Sequence, residues 1–161
     1  MPVNTGAGTR ISIGPRLTAK LTTDHAAALT LLKAITYVEV GEVESIGDYG
    51  DTTTDVSFAA LAAGRAEHLK GLKDGGTTDV TIGFDAGDAG QLALVAAYDD
   101  RSRFDYPIKV EYVDGYVDYF AAKVMGNKKT GITTGDVLKR VVTLGINSDI
   151  IEDDAEEDAG D

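Results

Sequence analysis

The two histidines are the residues of this sequence best suited to metal binding, and their surroundings supply no further ligands. His25 lies in an alanine-rich segment, and His68 lies in the segment 65–70; neither has a second histidine at ligand spacing. A metal site needs several ligands. The sequence also has no cysteine, which excludes disulfides and thiolate sites. We therefore expect no metal site.

Other catalytic patterns are also missing from the sequence. No serine lies in a nucleophile elbow, and the glycine spacings at 71–75 and 83–87 lack the phosphate-binding pattern. Asp85, Asp88, Asp99 and Asp100 lack the ligand order of a calcium loop. Carboxylate pairs arise by chance in so acidic a chain. We predict no catalytic residue, no cofactor and no enzymatic activity.

Length and charge indicate one acidic domain. The chain has 161 residues and a net charge of −12, enough for one hydrophobic core. No apolar run approaches the ~20 residues that span a bilayer. Eight acids and no base fall within 149–161, so the rest carries −4. We expect a flexible N-terminal arm over 1–9, a folded domain over 10–148 and a disordered acidic tail over 149–161. Acidic charge also argues against tight nucleic-acid binding.

Alternating apolar residues predict a mainly β protein. Asp88 and Gln91 form a capping box at the start of a helix over 89–98. The alanine-rich segment 22–35 fits either a helix capped by Asp24 or a structured loop, and 64–73 fits either a helical turn or an irregular bend. The predicted strands cover 10–13, 37–46 with a bulge at Gly41, 55–61, 77–85, 104–113, 116–125 and 136–145. Strands spaced by turns favour an antiparallel β-sandwich or open barrel.

The pair Asp114-Gly115 predicts a two-residue hairpin turn. That register sets Glu111 opposite Asp118, which opposes pairing mildly. The returning strand is apolar on both faces, so we expect it to be central or to lie against a partner. A loop over 126–135 with a basic tip, Lys128 and Lys129, should follow it.

One polar loop is longer than a connection within a small domain requires. Residues 47–54 interrupt two predicted strands with glycine, aspartate and threonine. Long exposed loops of this kind usually have a partner. We therefore predict a binding or assembly loop, whose residues are Gly47, Asp48, Tyr49, Gly50, Asp51, Thr52 and Thr53.

Several blocks, in order, resemble the tail tube proteins of tailed phages and of gene-transfer-agent-like particles. The first is Val40-Gly41-Glu42-Val43-Glu44-Ser45-Ile46-Gly47-Asp48-Tyr49-Gly50-Asp51; others lie at 65–76, 88–97, 104–110, 120–124 and 141–148. The resemblance runs from about residue 11 to 148. Tyr37 stands where a tryptophan is usual, and the acidic tail is not part of the pattern.

The resemblance implies a β-sandwich with one helix, assembled into hexameric rings that stack into the tube through which DNA leaves the capsid. Subunit strands would close one ring-wide barrel. Implied partners are further copies, the tail tip or baseplate, a tail terminator, a tape measure protein and a sheath, with no membrane and no specific DNA binding. The protein would be made in the host bacterial cytoplasm and end in the virion tail. Glu111 and Asp118 are candidate lumen-facing acids.

Three other readings stay open on the sequence alone. The first is a non-viral ligand- or carbohydrate-binding β-sandwich, which would be a monomer with a concave aromatic patch. The second is a small hydrolase with paired carboxylates and a perturbed pKa. The third is a different tail component on a related fold, such as a terminator or connector.

Overall fold

The computed structural model describes residues 5–154, which form an antiparallel, mainly β fold with 46% strand and 13% helix. This confirms the predicted fold class. The predicted helix at 89–98 is present, and the alanine-rich segment forms a second helix where a loop was the alternative. The elements are β1 (Arg10–Ile13), α1 (His25–Lys33), β2 (Val38–Glu39), β3 (Val43–Ile46), β4 (Thr52–Ala60), β5 (Arg65–Asp74), β6 (Thr77–Gly83), α2 (Ala89–Asp99), β7 (Tyr106–Glu111), β8 (Tyr116–Thr130), β9 (Lys139–Ile146) and β10 (Ile151–Asp154).

Eight strands form one curled sheet in the order β2-β1-β7-β8-β9-β6-β3, with β10 paired to β8. The strands β9 and β10 follow each other along the same edge of β8, with Ala122 opposite Ile146 and Tyr119 opposite Ile151. The two outer strands, β2 and β3, are joined by only three residues. Such a connection spans about 10 Å, so the sheet curls until its two outer strands approach each other.

The long strand β8 is buried on both faces, as its apolar pattern predicts. Phe120 and Val124 point into the main cluster, which lies inside the curl with α2, while Val117 and Tyr119 belong to a second cluster under α1. Two-sided burial requires a layer on each face. The helix α2 supplies the inner layer and α1 the outer one.

The predicted capping box also joins α2 to the sheet. The Asp88 carboxylate accepts hydrogen bonds from the amides of Gln91 and Gly41, both at 3.0 Å. The buried Gln91 amide donates to the carbonyl oxygens of Gly83 (2.8 Å) and Gly41 (3.3 Å) and accepts from the amide of Asp85 (3.2 Å). The helix start therefore fixes the corner between β2 and β3.

The predicted strand over 37–46 is wrong, because this segment turns a corner at Gly41. The strand β2 pairs with β1 and β3 pairs with β6, at opposite ends of the sheet. Between them Glu42 has φ 62°, and Gly41 contacts the Asp88 carboxylate. The Asp88 side chain, 47 residues further along the chain, therefore determines where the predicted strand is interrupted.

The predicted register of the β7–β8 hairpin is shifted by one residue. The turn has three residues, 113–115, with Gly115 at φ 96°, a common hairpin form. Val110 lies opposite Asp118, and Glu111 lies opposite Val117. Glu111 and Asp118 therefore lie on opposite faces of the sheet, because neighbouring positions alternate.

The predicted loop over 126–135 is shorter, because β8 continues to Thr130 and pairs with β9. A bulge between Val124 and Gly126 absorbs the glycine. Lys128 and Lys129 therefore stand on a strand, and the loop covers 131–138. Pairing with β9 therefore determines how far β8 extends.

Part of the segment that we expected to be a disordered acidic tail forms a strand. Residues 151–154 form β10, although we expected disorder from 149. Ile151 is 4% exposed in the cluster under α1, and the Lys33 ammonium lies 3.4 Å from the Asp153 carboxylate. Apolar burial and the open edge of β8 outweigh the acidic composition here. Residues 1–4 of the expected N-terminal arm and residues 155–161 of the expected tail lie outside the described residues.

The corner contacts give a stability prediction. Replacing Gln91→Leu leaves the polar groups of Gly41, Gly83 and Asp85 without this partner, so we expect the free energy of unfolding to fall by about 2–4 kcal/mol. Urea unfolding followed by circular dichroism measures it. The matched control is Leu92→Gln on the exposed side of α2, which should change it by less than ~0.5 kcal/mol. Equal effects of both would contradict the role of Gln91.

Candidate assembly surface

The strands β4 and β5 form a separate two-stranded ribbon, which we call the arm (residues 52–74). They pair with each other and belong to no other sheet of the described chain. Nearly every arm residue is exposed. The sequence reading missed β5, although the alternation Asp55-Val56-Ser57-Phe58 and the turn at Gly64 signal a hairpin.

The arm has one face with three large apolar side chains, which we call the apolar face and which also carries Glu67 opposite Phe58, and one mainly polar face. Val56 lies opposite Leu69 and next to Phe58 on the same face; their exposed fractions are 48%, 53% and 61%. On the other face Ser57 lies opposite His68, whose Nδ1 lies 2.9 Å from the Asp55 carboxylate. Strands alternate in this way when one face is meant for burial, yet the arm's own chain does not cover this face.

Ion pairs hold the root of the arm against the body. The Lys73 ammonium lies 2.8 Å from the Asp149 carboxylate and 3.7 Å from that of Asp51. Asp149 also lies 2.9 Å from His25 Nε2 at the start of α1. The hydrogen bond from Lys73, and then that from His25, lowers the pKa of Asp149, and the same Asp149 bond raises the pKa of Lys73. Because exposed ion pairs add little to the free energy of folding, we expect these pairs to orient the arm rather than to stabilise it.

The predicted assembly loop forms the root of the arm rather than a free loop. The Gly47 amide continues the β3–β6 ladder by donating to the Asp79 carbonyl at 2.7 Å, and Thr52 and Thr53 begin β4. Only Asp48, Tyr49, Gly50 and Asp51 connect the two. The exposed segment therefore extends through the arm to residue 74, whereas the predicted assembly loop ended at residue 53.

Tyr49 anchors this connection to the sheet. Its hydroxyl donates to the Asp118 carboxylate at 2.5 Å and contacts the Tyr112 hydroxyl, which also donates to Asp118 at 3.1 Å. The Tyr49 ring lies 5.5 Å from that of Phe120. Burial, and then the bond to Asp118, raises the pKa of Tyr49 above its usual value, and burial also raises that of Tyr112.

The two candidate lumen acids have different surroundings. Asp118 accepts from the two tyrosines and lines an acidic cleft of about 620 Å³ with Asp48, Asp51 and Glu152. Glu111 lies 2.6 Å from the Lys109 ammonium and 2.7 Å from the Arg10 guanidinium. The hydrogen bond from Lys109 lowers the pKa of Glu111. The structure therefore does not bring these two acids together.

Within residues 5–154, no group of three or more histidine or acidic residues could hold a metal ion. His25 and His68 each contact one carboxylate, as described. None of the helices described is long and apolar enough to cross a membrane.

The family model described as lambda phage tail tube protein (TTP) matches residues 22–149. The chain belongs to this family. It is a family of structural proteins of the virion tail and not of enzymes. The resemblance seen in the sequence is thereby confirmed, and the hydrolase and sugar-binding readings lose their support.

Solved structures of low sequence identity share the fold. A chain of the anti-feeding prophage baseplate, 6-fold symmetrised, aligns with TM-score 0.66 at 8% identity, covering 97% of this chain and 98% of that one. A chain of the PVC extracellular contractile injection system, sheath/tube terminator in the extended state, gives 0.66 at 9% identity, covering 95% and 97%. The SPP1 tail tube gives 0.60 at 11%, covering 93% and 78%. No curated protein matches the sequence.

The tyrosine contacts predict a loss of stability in alkali. The pKa of Tyr49 is raised in the folded state above the usual 10.0, so its contribution is complete below pH 10 and is lost as the pH rises above it. We expect the free energy of unfolding to fall with pH above ~10, and to fall less steeply in Tyr49→Phe. Urea unfolding at a series of alkaline pH values measures both slopes. Equal slopes for the two proteins would contradict the buried position of Tyr49.

Proposed function

We propose that this protein assembles into hexameric rings that stack into a tail tube, the conduit through which DNA passes into the host cell. The observation that carries the proposal is the arm, whose apolar face and both edges lack a partner within the described chain. Membership of the tail tube family supports a tube rather than another assembly.

The arm needs a partner on physical grounds. A single two-stranded hairpin is marginally stable in water, and its open edges are templates for further pairing. Fully burying an apolar side chain such as Phe58 is worth about 1.5–3 kcal/mol. Docking of the Val56–Phe58–Leu69 face on a neighbouring copy would therefore stabilise both the arm and the assembly.

Two kinds of contact would build the tube. Head-to-tail contacts that close after a fixed rotation give rings, whereas contacts that do not close allow growth. Strands from every subunit would close a barrel around the lumen, which removes free sheet edges. The 6-fold symmetrised baseplate that contains a similar chain supports six copies per ring. The arm bridges neighbours, and residues 1–9 are a second candidate bridge.

The likeness to baseplate, sheath/tube and cap chains supports the expected tail partners: a baseplate or tail tip, a terminator and a sheath. A tape measure protein would occupy the lumen during assembly. Because terminator chains share the fold, the family match is what favours the tube subunit over a terminator. The protein would be made in the bacterial cytoplasm and incorporated into the virion tail.

An acidic lumen would let DNA pass without binding, because phosphates are repelled and no cation holds them. Net charge −12 supports this proposal. Glu111 and Asp118 remain the candidate lumen acids. Since they lie on opposite faces of the sheet, only one of them can line a lumen formed by a single face.

The arm gives the assembly test. Phe58→Asp places a charge on the apolar face, so we expect a folded protein that forms neither rings nor tubes. Electron microscopy and sedimentation velocity measure assembly, and circular dichroism measures folding. Deletion of 48–53, which removes the root, should have the same effect.

The control is Ser57→Asp on the polar face of the same strand, which should assemble like the unchanged protein. Normal tubes from Phe58→Asp would contradict the role of the arm. A monomeric unchanged protein at every concentration would contradict the proposed function itself.

A further inference from the structure

The far end of β8 carries two neighbouring exposed lysines, on a surface we call the basic tip: Lys128, Lys129, Ile132 and Val137. Residues 126–140 contain four bases and one acid. Lys139 is paired with a carboxylate, that of Glu44, at 2.7 Å. The buried Arg140 donates to the neutral Asn127 at 2.9 Å, and the Lys129 ammonium lies 5.1 Å from the centre of the Phe84 ring. The accessible positive charge is therefore on Lys128 and Lys129. Ile132 and Val137 beside them are 74% and 67% exposed.

The other end of β8 is acidic and also partly apolar. We call this surface the acidic end: the cleft of Asp48, Asp51, Asp118 and Glu152, with the adjacent exposed Val113 and Tyr116. Of the four cleft acids, Asp51 has the Lys73 ammonium at 3.7 Å. Glu152 lies directly opposite Asp118 in the β8–β10 pairing. Like charges in that position oppose each other, and a cation placed between them would relieve the repulsion.

We propose that the basic tip of one copy docks on the acidic end of a copy in the adjacent ring, with Lys128 in the cleft, Lys129 at its rim on the other face of the strand, and Ile132 and Val137 against Val113. The inference rests on the proposed function and names the surfaces that stack. It gives the acidic strand β10 and the root of the arm a role in ring-to-ring contact.

Geometry requires two copies for this contact. Asp118 and Lys128 lie ten positions apart on β8, which is about 33 Å at the usual rise per residue. One copy therefore cannot bring its own tip to its own cleft.

Charge then decides the direction of the contact. Tip against tip would bring four lysines together, and acidic end against acidic end would bring eight cleft carboxylates together. Both symmetric arrangements are repulsive, whereas tip against acidic end is attractive. A head-to-tail contact between different surfaces leaves a free copy of each at the two ends of the stack, so growth can continue.

The cleft suits an ammonium group better than a metal ion. Among the described residues no group of three or more acids or histidines is arranged to hold a metal. The carboxylates instead border a wide opening together with Tyr49 and Tyr112. Lysine is a long, flexible cation that reaches into such a cleft, and tyrosine faces attract cations.

Crosslinking tests the contact directly, because the chain has no cysteine. The variant Val113→Cys/Val137→Cys carries one thiol on each surface. After assembly and mild oxidation we expect a ladder of covalent oligomers under non-reducing conditions, since bridged residues need Cα atoms within about 7 Å. The control Leu92→Cys/Val137→Cys, with the first thiol on α2, should give no ladder.

Charge reversal tests the electrostatic part. Lys128→Glu/Lys129→Glu alone, or Asp48→Lys/Glu152→Lys alone, should raise the protein concentration needed for stacking by about tenfold or more, because like charges then face each other. The fourfold variant, with both surfaces reversed, should stack again. All four residues are exposed, and circular dichroism checks that each variant folds.

The outcomes separate the two proposals. Stacked rings without a ladder in Val113→Cys/Val137→Cys, or without recovery in the fourfold variant, would overturn this inference and leave the tube intact. If the unchanged protein forms no rings or stacks at all, both the inference and the proposed function fail.

Discussion

Burial of β8 on both faces is the constraint on which the rest of the structure depends. Its residues belong to the main cluster inside the curl and to the second cluster under α1. Each face therefore needs its own layer, and each edge needs its own strands. β7 covers one edge near the start, while β10 and then β9 cover the other. This explains why a short strand with a single apolar residue, Ile151, forms within an acidic segment.

Local signals allowed correct prediction where the deciding residues are neighbours in sequence. The capping box of Asp88 and Gln91 gave α2, and strict alternation gave β6. The prediction failed where a distant group decides. The corner at Gly41 depends on Asp88, the length of β8 depends on β9, and the hairpin register depends on whether Val113 joins the turn. None of these is encoded by periodicity alone.

The sequence blocks that carry the family resemblance coincide with joints of the fold. Gly41 and Asp88 meet at the corner between β2 and β3. Asn147 donates its amide to the Ala121 carbonyl, and the Ser148 hydroxyl accepts from the Ala121 amide, where the chain passes from β9 to β10. Joints need particular side chains, whereas apolar strands tolerate exchange. The fold itself is shared at 8–11% identity with chains of a baseplate and of a tail tube.

Only the root of the candidate assembly surface could be predicted from the sequence, because the chain does not contain the partner that would cover the rest. The polar root at 47–53 was recognisable from its glycines and acids. The arm beyond it exposes Val56, Phe58 and Leu69 on one face, a pattern typical of a surface that a partner covers. An arm that gains its burial on contact couples its own order to assembly. In the proposed assembly, this coupling and a net charge of −12, which keeps free copies apart, would favour addition to a preformed ring over random association in solution.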